Sequence, residues 1–299
     1  MKELHIDPSV SLTETLAHYG PTEPLQIRLA PGVYREKLRI YNNNLELIGA
    51  GAAETVISYA DYNDKLHLDG KQYNTFRTPT VTILADHVKF SHLTIRNEAG
   101  YGPGINQAVA LSVYGDDFSF KDGVLEGFQD TLFLGPLPRD LCVRYQGFLK
   151  DEELHTRSLT HFFERVKITG HVDYIFGSST ALFKDCEIVS VMPGYVAAPS
   201  TYRENPVGFV FYNCLFKNIS DSDNVYLARP WREHGFTCFW NCRFEGAYHK
   251  DRFHDWNKTI YRFFEKPYVE TSMSHGLKEE RISEIRKLFK AHFDCALPD

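Results

Sequence analysis

The sequence predicts an all-β fold, a parallel β-solenoid, and three observations carry that prediction. A motif Phe-x-x-φ-x-φ, where φ is small or apolar, opens at Phe90, Phe120, Phe163, Phe183, Phe211 and Phe239. The intervals between these phenylalanines are 30, 43, 20, 28 and 28 residues, a period at which short strands coil so that each turn buries its inner face against its neighbours. Each copy closes in an alternation such as Leu93-Thr-Ile95 or Cys186-Glu-Ile188, which is the signature of a half-buried strand.

The elements follow in order. Ser11 to Tyr19 reads as a short amphipathic helix, with Ser11 or Thr13 placed to cap it. It is expected to cover the first coil, because the open end of stacked strands needs protection. Leu25–Leu29, Leu45–Ile48 and Thr80–Ile83 look like strands of earlier, less regular coils. The Phe120 copy of the motif carries Gly123 at its fourth place. The 43-residue interval needs an excursion beyond the coil, and Gly135-Pro-Leu-Pro-Arg139 onward to Thr156 supplies it, being rich in Pro, Gly and charge. This insertion, residues 135–156, leaves after Asp130 and returns before Asp173, so it is expected to form a wall or lid beside whatever those residues build. Leu277 to Phe293 places Ile282, Ile285, Leu288, Phe289 and Phe293 on one helical face, a C-terminal helix over 277–293 packed along the outside. No linker divides the chain, and residues 1–299 are expected to be one domain.

Net charge is -6, which gives no global attraction to nucleic acid or to an anionic membrane, and neither is expected as a partner. No stretch approaches the ~18 apolar residues of a membrane span. Met1 to Pro8 contains no apolar run of the signal-peptide type, and the protein is expected in the cytoplasm, as a monomer. Three of the six cysteines, Cys186, Cys214 and Cys242, repeat at 28-residue intervals at the same motif place. They read as buried, reduced thiols acting as small apolar groups. Cys238 and Cys242 have no second pair to complete a zinc set, and no metal or other cofactor is expected.

Within this repeat two aspartates hold equivalent places. Asp130 and Asp173 each lie ten residues after a motif phenylalanine, Phe120 and Phe163. Neighbouring coils are about 4.8 Å apart, so the two carboxylates would stack on one face. Gln107 and Gln129, 22 residues apart, would join them. Two close carboxylates cannot both ionise easily, and a nearby cation selects which stays charged. Arg229, in Tyr226-Leu-Ala-Arg-Pro-Trp231, is the leading candidate. An ionised nucleophile, a neutral acid, carboxamide donors for an oxyanion and an orienting arginine make an acyl-transfer site.

These residues also carry a family resemblance. Gln107-Ala-Val-Ala-Leu111, Gly127-Phe-Gln-Asp-Thr-Leu132, Val172-Asp-Tyr-Ile-Phe-Gly177 and Leu227-Ala-Arg-Pro-Trp231 resemble the four signature segments of pectin methylesterases, and Gly32-Val-Tyr-Arg-Glu36 a fifth. All five stand in the family's order over residues 8 to 265. The resemblance implies a right-handed parallel β-helix that hydrolyses methyl esters of galacturonate without a metal, with a methyl-esterified oligogalacturonide or pectin fragment as partner. It implies Asp173 as nucleophile, Asp130 as acid and then base, and Gln107 and Gln129 in the oxyanion hole. Arg229 would steady Asp173, while Trp231, Phe176 and Phe128 would meet the sugar.

Some residues depart from the family's pattern. Phe128 stands where tyrosine is common, Ala228 where glycine is frequent, and His171 where threonine is often found. By strand alternation His171 is expected to share a face with Asp173, as a scaffold residue more than a tuner of pH response. The pair Asp116-Asp117 and His234-Gly235 bear a faint likeness to polygalacturonases, whose carboxylates are spaced for a glycosidic carbon. Two other readings stand beside the esterase: the same machinery acting on another acyl group, including a thioester, and a carbohydrate-binding solenoid without catalysis.

Overall fold

Stacking of the motif phenylalanines organises the molecule, whose computed structural model describes residues 1–267, 274–293 and 297. Leu47, Phe90, Phe120, Phe163, Phe183, Phe211 and Phe239 sit in register, one per strand, along an eleven-stranded parallel face. From Phe163 to Phe239 the rings lie face over face, with centroids 4.9, 4.7 and 5.1 Å apart. A second inward column runs Ile57, Ile95, Leu125, Ile168, Ile188, Phe216. A third runs Leu38, Val81, Leu111, Leu132, Ile175, Ala197, Ala228. Three columns on three faces close the prism of a right-handed parallel β-helix, with the core between them. Two long strands, Lys167–Gly177 and Glu187–Pro199, run unbroken around the corner between the second and third faces.

The third motif residue explains how each coil turns. His92, Asp122, Arg165, Asp185, Asn213 and Asn241 all adopt left-handed backbone, with φ between 52° and 55°. Asn and Asp tolerate this conformation best among residues with a side chain, so the polar third place is a backbone requirement as much as a matter of solubility. The residue after it points inward. There Cys186 and Cys214 are fully buried and Cys242 partly so. Gly123 occupies this place in the Phe120 coil because a Cβ would lie 2.2 Å from the Phe120 ring. Cys238 faces outward into a different cluster from Cys242, so the two thiols do not converge.

Both helices form where expected. The N-terminal helix is Leu12–Ala17, and the Glu14 N–H donates to the Ser11 hydroxyl. Glu36 reinforces that cap, accepting from the backbone of Leu12 and Thr13, and Leu12 and Leu16 are buried in the core. The C-terminal helix, Glu279–Phe293, lays Ile282, Ile285 and Phe289 over Leu182, Val210 and Trp240, on the outer side of the eleven-stranded face. Among the strands not anticipated, Lys2–Ile6 pairs in parallel with Leu25–Leu29 and starts the stack.

The excursion after Asp130 contains the helix Arg139–Arg144 and a single turn, Asp151–Glu153. It is fastened on several sides. Arg232 holds Asp140 through bonds of 3.0 and 2.7 Å, Arg139 pairs with Glu204, Arg39 with Glu153 at 3.1 Å, and the Tyr202 hydroxyl donates to the Leu137 carbonyl at 2.5 Å. So many anchors make it a wall and not a moving lid.

Candidate active site

Asp130 and Asp173 occupy adjacent rungs of the third face. The register Leu132 to Ile175 and Phe133 to Phe176 carries back two residues to the aspartates, and the Asp130 N–H donates to the Val172 carbonyl at 3.0 Å. Both are left-handed, with φ of 64° and 50°. That conformation turns the carboxylates out of the strand toward a cleft of about 420 Å³. Gln107 reaches the same cleft through a slip in the ladder. The Ala108 N–H donates to the Gln129 carbonyl, whereas the Thr131 carbonyl accepts from both Ala110 and Leu111. That slip reconciles the 22-residue spacing of the two glutamines with the 21-residue register of Leu111 and Leu132.

Arg229 comes from two coils beyond Asp173. Its N–H donates to the Ala197 carbonyl, and Trp231 is pinned to Pro199 in the same way. The guanidinium crosses the intervening coil past the small Ala198, which lines the cleft. It grips Asp173 with both arms, Nε to Oδ1 at 2.8 Å and a terminal nitrogen to Oδ2 at 2.6 Å. Tyr195 and Trp256 sandwich it, each ring centroid 3.8 Å from Cζ. The fork is therefore locked in plane before any ligand arrives.

The environments of the two acids differ. Burial lifts the Asp130 carboxyl well above its ordinary range, the neighbouring Asp173 charge lifts it further, and Arg229 opposes this only weakly. Burial also raises Asp173, but the Arg229 hydrogen bonds and charge pull it back. The pair therefore holds a single proton over a wide pH range, and that proton belongs on Asp130. Among the described residues neither the Gln107 nor the Gln129 carboxamide takes part in a hydrogen bond, so both are free to turn toward a bound oxygen.

Of the residues singled out from sequence, Gln107, Gln129, Asp130, Asp173, Phe176, Arg229 and Trp231 all line the cleft. Phe176 offers little surface, being 3% exposed between Phe133 and Trp231. Phe128 does not line it. Its ring packs against Tyr101 at 4.9 Å and His171 at 6.3 Å, beside a separate depression. His171 follows Phe128 and does not share the face of Asp173, because the left-handed aspartate and the register shifts between Gly170 and Ile175 break the two-residue alternation. Asp116 and His234 take no part either. The Asp116 carboxylate accepts the Thr160 N–H, and the His234 N–H bonds the Ile260 carbonyl.

Sequence reasoning missed Phe76, Arg144, Tyr145, Arg232 and Trp256 in the lining, and Tyr195 behind Arg229. Trp256 is one of only 3 tryptophans, which was the one available hint. Tyr195 lies on the strand Glu187–Pro199 just past its register shift, and the others come from excursions or turns whose inward-facing residues follow no period.

A parallel β-helix whose third face presents an arginine-held aspartate, a protonated partner and two free carboxamides defines a class of twin-carboxylate β-helix proteins. The chain belongs to the pectinesterase family: that family's profile, Pectinesterase, matches residues 12–136 and 140–272. Pectinesterase QRT1 of Arabidopsis thaliana is 33% identical over 230 residues, an alignment covering 74% of this chain and 54% of the relative. The chain thus spans about half the length of that relative. Among solved structures, pectin methylesterase PemA from Erwinia chrysanthemi superposes with a TM-score of 0.77 at 26% identity, covering 99% of this chain and 98% of that one. A pectin methylesterase in complex with a hexasaccharide gives 0.76 at 26% identity, covering 96% and 94%.

Proposed function

We propose that this protein hydrolyses the methyl esters of galacturonate units in pectin fragments, releasing methanol. The Asp173 carboxylate attacks the ester carbonyl, and the carboxamides of Gln107 and Gln129 donate to the oxygen as it becomes tetrahedral. Asp130 gives its proton to the departing methoxide, so methanol leaves and a mixed anhydride with Asp173 remains. Now ionised, Asp130 takes a proton from water, which attacks the anhydride. Asp173 departs as a carboxylate, Asp130 is protonated again, and the product is a free galacturonate carboxylate.

One observation carries this reading: the two-armed Asp173–Arg229 pair stands one coil from a buried, unpaired Asp130. Family membership supports the ester, and the hexasaccharide complex of a relative supports a chain of sugars in the cleft. The test is methanol release from methylated oligogalacturonides by the wild type and by Asp173→Asn, a change that keeps the shape and tolerates the left-handed backbone. Activity is expected to vanish in the variant. Undiminished activity would remove Asp173 as nucleophile, and tight sugar binding with no wild-type turnover would instead favour a binding module.

A further inference from the structure

The two rings that clamp the Arg229 guanidinium rest on unequal supports. Tyr195 belongs to the strand Glu187–Pro199, pairs in register with Tyr226 of the next coil, and stacks on its ring at 5.2 Å and 17°. Tyr226 in turn stacks on His249 at 4.2 Å and 26°. That jaw of the clamp is backed by further rings and seated on the ladder. Trp256 has no such seat. It lies between the strands Arg243–Glu245 and Arg262–Lys266, outside both, and its φ is 47°. Left-handed backbone is a genuine outlier for a bulky side chain, and it persists only where the surroundings enforce it.

One half-buried side chain, His254, joins this loop to the firm jaw. Its backbone N–H donates to the Ala228 carbonyl at 3.0 Å, one residue before Arg229. Its ring meets Tyr195 edge-on at 5.9 Å and 73°, and Tyr226 at 5.7 Å and 83°. Its Nδ1 accepts the Trp256 N–H at 2.9 Å, which places the proton of the neutral ring on Nε2. His254 thus touches the firm jaw and holds the backbone of the loose one. Lys258 also donates to the Trp256 carbonyl, at 3.1 Å. It belongs to the same loop, however, and cannot set how far that loop stands from Arg229. His254 itself does not line the cleft.

We propose that His254 is a positioning residue for the esterase reaction: by accepting the Trp256 N–H it keeps the indole face on Arg229, and the clamped guanidinium keeps both of its bonds to Asp173. The inference rests on the function proposed above, and it concerns a residue that touches neither the cleft nor the reacting atoms. The experiment compares wild type with His254→Asn and His254→Gln. The Asn carboxamide oxygen falls near the place of Nδ1 and can accept the same N–H, whereas the longer Gln side chain carries its polar atoms out toward Nε2. Two quantities are read in each protein. One is methanol release across pH, and the other is acrylamide quenching of Trp256 fluorescence, taken by difference from the matching Trp256→Phe protein.

In His254→Gln, kcat and kcat/KM are expected to fall together by about three- to tenfold, the effect of one ordinary hydrogen bond. Arg229 holds the Asp173 pKa down against burial, so a loosened grip moves the acidic limb of the rate profile to higher pH. Trp256 should become more accessible to the quencher. His254→Asn should bring all three quantities back close to wild type, a pattern that general misfolding cannot produce. Equal losses in the two variants, no loss in either, or a change in KM alone with the acidic limb in place would overturn the positioning role while leaving the esterase standing. If the wild type cleaves no ester at all, the proposed function fails and the quenching alone decides. Trp256 freed in His254→Gln but shielded in His254→Asn then upholds the clamp, and any other pattern removes it.

Discussion

Replacing Arg229 by lysine is the sharpest test of the charge arrangement, because it keeps the cation and removes only the fork. In the native site two bonds of 2.8 and 2.6 Å reach the two Asp173 oxygens. An ammonium is a point charge and would keep one of them. A hydrogen bond to a charged group contributes about 1.5–3 kcal/mol. Arg229 and Asp173 side chains are only 15% and 13% exposed, so solvent screening removes little of it. If the lost bond is fully expressed in the transition state, kcat/KM falls about 10- to 150-fold, at 1.36 kcal/mol per decade. The pH profile carries a second, independent sign. Arg229 lowers the Asp173 pKa against the burial that raises it, so weakening the grip lets that pKa rise. The nucleophile must be ionised, and the acidic limb of the rate profile therefore moves to higher pH. The assay is methanol release across pH in wild type and Arg229→Lys. An acidic limb that stays in place or moves down would refute the assignment of Asp173 as the ionised partner.

Two further outcomes follow from features of the same structure. Asp130→Asn should abolish turnover yet stabilise the fold at neutral pH: the Asp130 pKa is raised by burial, so the folded state binds a proton the unfolded chain releases. That contribution favours folding only below the ordinary aspartate pKa of about 3.9 and is lost as pH rises toward the folded value. The gain in urea midpoint should hence shrink toward zero at low pH, and a gain independent of pH would contradict the linkage. Phe183→Ala removes a ring stacked on both sides, by Phe163 and Phe211, and 0% exposed. It should cost about 3–5 kcal/mol in denaturant unfolding, and a loss below about 1 kcal/mol would mean that the phenylalanine column is not what holds the coils in register.

Much of the fold was legible because the repeat is physical. The six phenylalanines mark the same rung in successive coils, and the ten-residue offset from Phe120 and Phe163 sets Asp130 and Asp173 on adjacent rungs. The helices were readable for local reasons, a serine cap at one end and an apolar stripe at the other. Other features depended on geometry that no period encodes. Lys2–Ile6 carries only one short alternation, Glu3-Leu-His-Ile6, and is held as a strand by the edge that Leu25–Leu29 offers it. The Tyr195–Arg229–Trp256 sandwich joins a strand residue, Tyr195, to two residues that lie beyond strand ends in later parts of the chain. His171 went astray because alternation was carried through Asp173, whose left-handed backbone cancels it.

The insertion that walls the cleft leaves the prism after Leu134 and rejoins it at Thr160, and its ties run to neighbouring loops and coils while the rungs bearing the two aspartates keep their register. The same insertion buries Leu137, Leu141 and Leu149 against Phe133 and Phe176, which follow the two aspartates on those very rungs, so the wall is also the outer covering of the floor on which they stand.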